Sequence, residues 1–147
     1  MKNDNDSFFV DANVLVYAAV KDDQRNRVAK ALLKNPSLGT LHISLQIVSE
    51  FYSTITSPKR VTVPYAPLEA VEFIETLLGY EHVLLLSISH DVPGRLLALL
   101  KANEVRGPRV FDLQIVATML AHGVRKLFTY IGNDVRQFSD LEIIEPS

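Results

Sequence analysis

No cysteine occurs among the 147 residues. That single absence excludes disulfides, cysteine-based zinc sites and thiol catalysis together, and it fits a reducing compartment. An excess of charge of one sign is missing too. Fifteen Lys and Arg against seventeen Asp and Glu leave a formal charge of −2, with a pI of about 6.1. A passive nucleic-acid binder neutralises phosphates with Lys and Arg, so that class is disfavoured. An enzyme whose bound metal ions supply the positive charge is not. The local basic spots, Lys59-Arg60 and Arg106 with Arg109, are of a kind that is commonly just solvated loop charge. Long hydrophobic runs are also absent, because Asp, His or Arg interrupts each one before it could span a bilayer. The segment Met1-Lys2-Asn3-Asp4-Asn5-Asp6 has neither the basic region nor the apolar core of a signal peptide. The expectation is a soluble, cytoplasmic protein with no membrane partner. Phosphate-cradling Gly-x-x-x-x-Gly-Lys-Ser/Thr, dinucleotide-binding Gly-x-Gly-x-x-Gly and nucleophile-elbow Gly-x-Ser-x-Gly motifs do not occur. His42, His82, His90 and His122 lack His-Glu-x-x-His spacing. Ser87, His90 and Asp91 are close in sequence, but triads are defined by geometry, and these three read as strand-end and helix-capping residues.

What is present is an alternation of short apolar runs with amphipathic segments. Hydrophobic residues make up 48% of the chain, enough for one substantial core and one domain over residues 1–147. Strands are expected at Ser7–Val10, Leu41–Ser44, His82–Ser87, Lys126–Tyr130 and Leu141–Ile144. Helices are expected at Asn13–Val20, Gln24–Asn35, Leu45–Ser57, Pro67–Leu78, Asp91–Asn103 and Phe111–His122, the last stopping at Gly123. Alternating strands and helices imply an α/β fold, a parallel sheet with helices on both faces. The runs Val83-Leu84-Leu85-Leu86 and Ile143-Ile144 suit strands covered on both sides.

On that reading, the carboxylates fall in a pattern. Asp11 closes the first strand, Glu50 lies one turn into the helix after the second, and Asp112 opens the most apolar helix. Asn133 and Asp134 follow the fourth strand, just past Thr129. All lie at or after carboxyl ends of strands, where open α/β sheets collect their chemistry. Each has an ordinary explanation: Asp11 or Asn13 as a helix cap, Glu50 as an exposed helical acid, Asp112 as a complement to the helix dipole, Asp134 as an Asx-turn residue. Taken together, clustered carboxylates repel one another unless a cation holds them. Oxygen ligands without Cys or a His cluster point to Mg²⁺, with Mn²⁺ as the alternative.

The pattern resembles the PIN-domain ribonucleases, most closely the toxin components of VapBC toxin–antitoxin pairs. Phe8-Phe9-Val10-Asp11-Ala12-Asn13-Val14-Leu15 is similar to the family's opening motif, and Gln46-Ile47-Val48-Ser49-Glu50-Phe51-Tyr52 to its second. Arg109-Val110-Phe111-Asp112-Leu113-Gln114, with His122-Gly123-Val124, is similar to the third. Leu127-Phe128-Thr129 and Asp134-Val135-Arg136-Gln137-Phe138 resemble the fourth, which usually reads Thr-x-Asn/Asp-x-x-Asp-Phe. Here three extra residues separate Thr129 from its acid, and Gln137 stands where an aspartate is common. The choice between Asn133 and Asp134 therefore stays open in the motif. Spacing to Phe138 and the need for charge favour Asp134.

The resemblance implies an α/β/α sandwich around a short parallel sheet and Mg²⁺-dependent hydrolysis of RNA phosphodiesters. It implies a catalytic set of Asp11, Glu50, Asp112 and Asp134, with Asp11 and Asp112 holding the metal and Asn13 and Thr129 orienting carboxylates. An RNA substrate, an antitoxin and a homodimer are the implied partners. The dimer is also suggested by the apolar content of Leu45–Ile55 and Ala66–Leu78. Two rivals remain. A haloacid-dehalogenase-like phosphatase also carries an aspartate after its first strand, but needs an acid two residues on, where this chain has Asn13. The other rival is a non-catalytic PIN scaffold that binds a partner.

Overall fold

The sheet holds five strands: β1 (Ser7–Val10), β2 (Thr40–Ile43), β3 (Val83–Leu85), β4 (Lys126–Phe128) and β5 (Glu142–Ile144). Their order is β3-β2-β1-β4-β5, and every neighbouring pair is parallel. These elements belong to a computed structural model that describes residues 6–132, 135, 138 and 140–147. The most apolar of the early runs takes the central position: Phe9 and Val10 of β1 have no exposed surface. Phe8 stacks on Phe128 of β4, with ring centroids 4.7 Å apart.

Helices α1 (Ala12–Ala19) and α2 (Asn26–Lys34) link β1 to β2, and α3 (Leu45–Ile55) and α4 (Pro67–Leu78) link β2 to β3. Both links run outward in the same direction, so right-handed crossovers put all four helices on one face. The chain then returns across the sheet through α5 (Asp91–Ala102) and α6 (Val110–Ala121) to β4, which puts this pair on the other face. The packing agrees, with α1 against α2 and α3, α3 against α4, and α5 against α6. The result is the expected three-layer α/β/α sandwich.

Patterning explains which faces are buried. Ile47, Phe51 and Ile55, four residues apart on α3, have no exposed surface. The helix α6 is apolar nearly all round and buries Leu113, Ile115, Val116, Ala117 and Met119. Its end is set by Gly123 at φ +69°, where Val124 N–H reaches back to the Met119 carbonyl at 3.0 Å. That closure needs the left-handed conformation glycine adopts freely.

One expectation is corrected. The run Val83–Leu86 is not a strand covered on both sides, since Leu84 and Leu85 are each 49% exposed. The strand order places β3 at one edge of the sheet, where only part of it meets a helix layer. The other edge strand, β5, leaves Ile143 and Ile144 half-buried. Because the two directions of travel separate between β1 and β4, the crevice at their carboxyl ends is the sheet's switch point, where ligands of open α/β sheets bind.

Candidate functional site

Register builds the site. The last β1–β4 pair is Val10 with Phe128, and Asp11 N–H continues the ladder to the Phe128 carbonyl at 3.0 Å. Asp11 and Thr129 therefore meet one step beyond the strands, across the switch point. Thr129 Oγ1 donates to Asp11 Oδ2 at 2.9 Å. Asn13 Nδ2 donates to Thr129 Oγ1 at 2.9 Å and to Asp11 Oδ2 at 3.3 Å. Asn13 Oδ1 accepts from Tyr130 N–H at 3.0 Å, and Ile131 N–H donates to Thr129 Oγ1 at 3.2 Å. The ordinary explanation of Asp11 holds as well: Oδ1 caps α1 by accepting from Ala12 N–H at 2.7 Å. One oxygen serves the helix, and the other is held in place by two side chains. Asn13 has both ends of its amide engaged in this network. It offers no proton to a leaving group, so the acid that the phosphatase rival needs is absent.

Glu50 couples to this carboxylate, and Asp112 couples to Glu50. Burial raises the Asp11 pKa above its usual 3.8, against hydrogen bonds from Thr129, Ala12 and Asn13 that pull it down, while the charge on Glu50 pushes it up. Burial likewise raises Glu50 above 4.5; a hydrogen bond from Gln46 opposes this and the charge on Asp112 adds to it. So Glu50 is a half-buried acid rather than the exposed helical one its position also allowed. Asp112 lies in the first turn of α6, partly buried, after a turn in which Gly107 takes φ +62°. The structure thus brings Asp11, Glu50 and Asp112 into one electrostatic chain. Asn133 and Asp134 lie outside the described residues.

Gln46 is the site residue that sequence reading missed. Its Nε2 donates to Glu50 Oε1 at 2.9 Å and to the Phe111 carbonyl at 2.9 Å, tying α3 to the start of α6. The signal was available: residues four apart on a helix face each other, and an amide four before a candidate glutamate is placed to orient it.

The donor set fits a hard divalent cation. It consists of carboxylate oxygens, two of the groups desolvated and each repelling its neighbour, a combination a cation relieves. Among the described residues no three His, Asp or Glu side chains are arranged to enclose a metal ion. Mg²⁺ is usually held by one or two carboxylates together with waters and substrate phosphates. Thr129→Val keeps the side chain's shape and deletes its hydrogen bonds to Asp11, Asn13 and Ile131. For a divalent cation bound through Asp11, we expect the concentration that half-saturates binding, read as the rise in Tm, to increase about 10–100-fold, as for other losses of groups that orient ligands. An unchanged half-saturating concentration would show that Thr129 does not position Asp11.

A family model described as PIN domain matches residues 8–139. Ribonuclease VapC48 of Mycobacterium tuberculosis is 25% identical over 138 residues, covering 92% of this chain and 94% of that protein. The crystal structure of Mycobacterium tuberculosis VapC20, described as a sarcin-ricin loop cleaving toxin, superposes with a TM-score of 0.66 at 17% identity, covering 89% of this chain and 95% of that one. VapBC2 from Rickettsia felis, bound to a DNA fragment from their promoter, gives a TM-score of 0.65 at 17% identity, covering 96% of this chain and 99% of that one. The two structural likenesses bear on the fold.

Proposed function

This chain belongs to the PIN domain family, and from that premise we propose that it is a Mg²⁺-dependent endoribonuclease, the toxin of a toxin–antitoxin pair. The observation that carries the reading is the Asp11 carboxylate, held across the switch point by Thr129 and Asn13 and coupled by charge to Glu50 and, through it, to Asp112. The curated relative named as a ribonuclease, matching along nearly the whole chain, supports the same class.

Asp11 and Asp112 would hold the cation, with Mn²⁺ as an alternative ion, and Asp134 is the proposed fourth acid. When bound, the cation would lower the pKa of water and offset charge on the phosphate oxygens. The chain's own residues do the rest. Thr129 and Asn13 fix the direction of Asp11 Oδ2. Gln46 engages Glu50 Oε1, leaving Oε2 as the oxygen that takes a proton from the attacking water. Burial and the nearby Asp112 make Glu50 a stronger base than an exposed glutamate. Attack at phosphorus breaks the P–O3′ bond, and the departing 3′-oxygen takes a proton from solvent, leaving a 5′-phosphate and a 3′-hydroxyl. The test is cleavage of single-stranded RNA by the purified chain, expected with Mg²⁺ and absent with excess EDTA.

The proposed partners are RNA, a cognate antitoxin and a second copy of the chain, and the proposed setting is the cytoplasm. Among the described residues no helix is long and apolar enough to cross a membrane. Leu45 and Tyr52 on α3 and Leu68 and Val71 on α4 are exposed, and α4 helps line a cleft of about 860 Å³ with α1 and α2. Such surface supports protein partners. Light scattering at about tens of micromolar, a concentration that a micromolar Kd would saturate, should give twice the chain mass; the mass of one chain there would contradict the dimer.

A further inference from the structure

The row of residues just past the strand ends continues sideways from Asp11. Ser44 follows β2, and Leu86, whose N–H donates to the Ile43 carbonyl at 2.8 Å, follows β3. Over this part of the rim lies a second cleft of about 530 Å³, between the starts of α3, α5 and α6. Its size falls within the range of small-molecule sites, about 300–1,000 Å³. Ser44, Gln46, Leu86, Val92 and Phe111 line it, and Glu50 of the carboxylate site forms part of its wall.

Three features define what would fit. Glu50 is the only charged residue among those lining it, so the cleft repels a phosphate and suits a neutral group. Phe111 stands at its rim, 50% exposed, an aromatic face without a stacking partner among the described residues. Ser44 is only 7% exposed, and neither its Oγ nor Gln46 Oε1 has a hydrogen-bond partner among the described residues, although both atoms are buried. Buried polar atoms are nearly always paired; of the four buried side-chain atoms without a partner among the described residues, these two lie beside the cleft and are placed to meet a hydrogen-bonding ligand.

We propose that this cleft receives one unstacked nucleobase of the RNA, next to the phosphate that is cut, with Phe111 stacking on its face and Ser44 and Gln46 meeting its polar edge. The inference rests on the ribonuclease reading and deepens it. A base in a duplex cannot leave its stack cheaply, so the cleft selects single-stranded segments, which proteins read through splayed bases on aromatic side chains. It also ties selection to catalysis, because Gln46 touches both Glu50 and the base.

The probe is a trinucleotide with uncharged methylphosphonate linkages and a central 2-aminopurine, whose fluorescence falls when the base stacks. It is neither cut nor repelled by the carboxylates, so its binding is independent of hydrolysis. The full chain should quench it. Phe111→Ala should weaken binding about 10–100-fold, the effect of losing one base–aromatic stack, while Phe111→Tyr should retain it. Ser49→Phe, an exposed α3 position lining the cleft, should block it by filling the space. No quenching by the wild-type chain, or quenching as strong as the wild type's in both Phe111→Ala and Ser49→Phe, would overturn the proposal. So would loss of a dimer in Phe111→Ala without any quenching by the wild type, which would assign the cleft to a contact between copies. Quenching that is intact in a chain unable to cut RNA would count against the ribonuclease reading alone.

Discussion

Asp11→Asn is expected to lower RNA cleavage about 10³-fold while the chain stays folded. The substitution removes a charge and almost no volume, and Oδ1 can still accept from Ala12 N–H to cap α1. What it removes is the anionic Oδ2 on which Thr129 and Asn13 converge. If a cation bound there is worth several kcal/mol at the transition state, at about 1.4 kcal/mol per tenfold the rate falls by about that factor. The same variant should lose the rise in Tm that Mg²⁺ gives the parent chain, because a ligand stabilises only the state that binds it. Cleavage within tenfold of the parent, in a folded Asp11→Asn chain, would remove Asp11 from the site.

Glu50→Gln should lower kcat about 10²–10⁴-fold, the usual contribution of a positioned general base, with a smaller change in KM. Its pH behaviour separates this role from a structural one. Glu50 works as a base only when ionised, and burial together with the Asp112 charge raises its pKa above 4.5. Activity of the parent chain should therefore fall as pH drops through the Glu50 pKa. In Glu50→Gln one titrating group is gone, and the acid limb of the kcat profile should lose one proton's steepness. A normal kcat, or an acid limb of unchanged slope, would show that Glu50 does not take the proton.

The sheet and its helices were legible because each apolar run has one dominant period and clear punctuation, such as the Gly123 that ends α6. Asp11 and Asp112 were legible for the same reason, as acids at the ends of well-defined elements. Sheet order was not, since it depends on which crossover goes where, and no local pattern in Val83–Leu86 tells an edge strand from a central one. That is why the exposure of Leu84 and Leu85 came as a correction. Gln46 was legible only in part: its four-residue spacing from Glu50 could be read, but its tie to the Phe111 carbonyl spans two elements distant in sequence. That Asn13 and Thr129 orient carboxylates was implied by the resemblance, but their hydrogen bond to each other depends on the β1–β4 register.

The most direct test is single-stranded RNA incubated with the purified chain in Mg²⁺, in excess EDTA, and in EDTA with Mg²⁺ then restored. Cleavage leaving 5′-phosphate ends, lost in EDTA and recovered on restoring Mg²⁺, is expected. Cleavage that continues undiminished in EDTA, or none in Mg²⁺ by a folded chain free of antitoxin, would contradict a metal-dependent ribonuclease built on Asp11, Glu50 and Asp112.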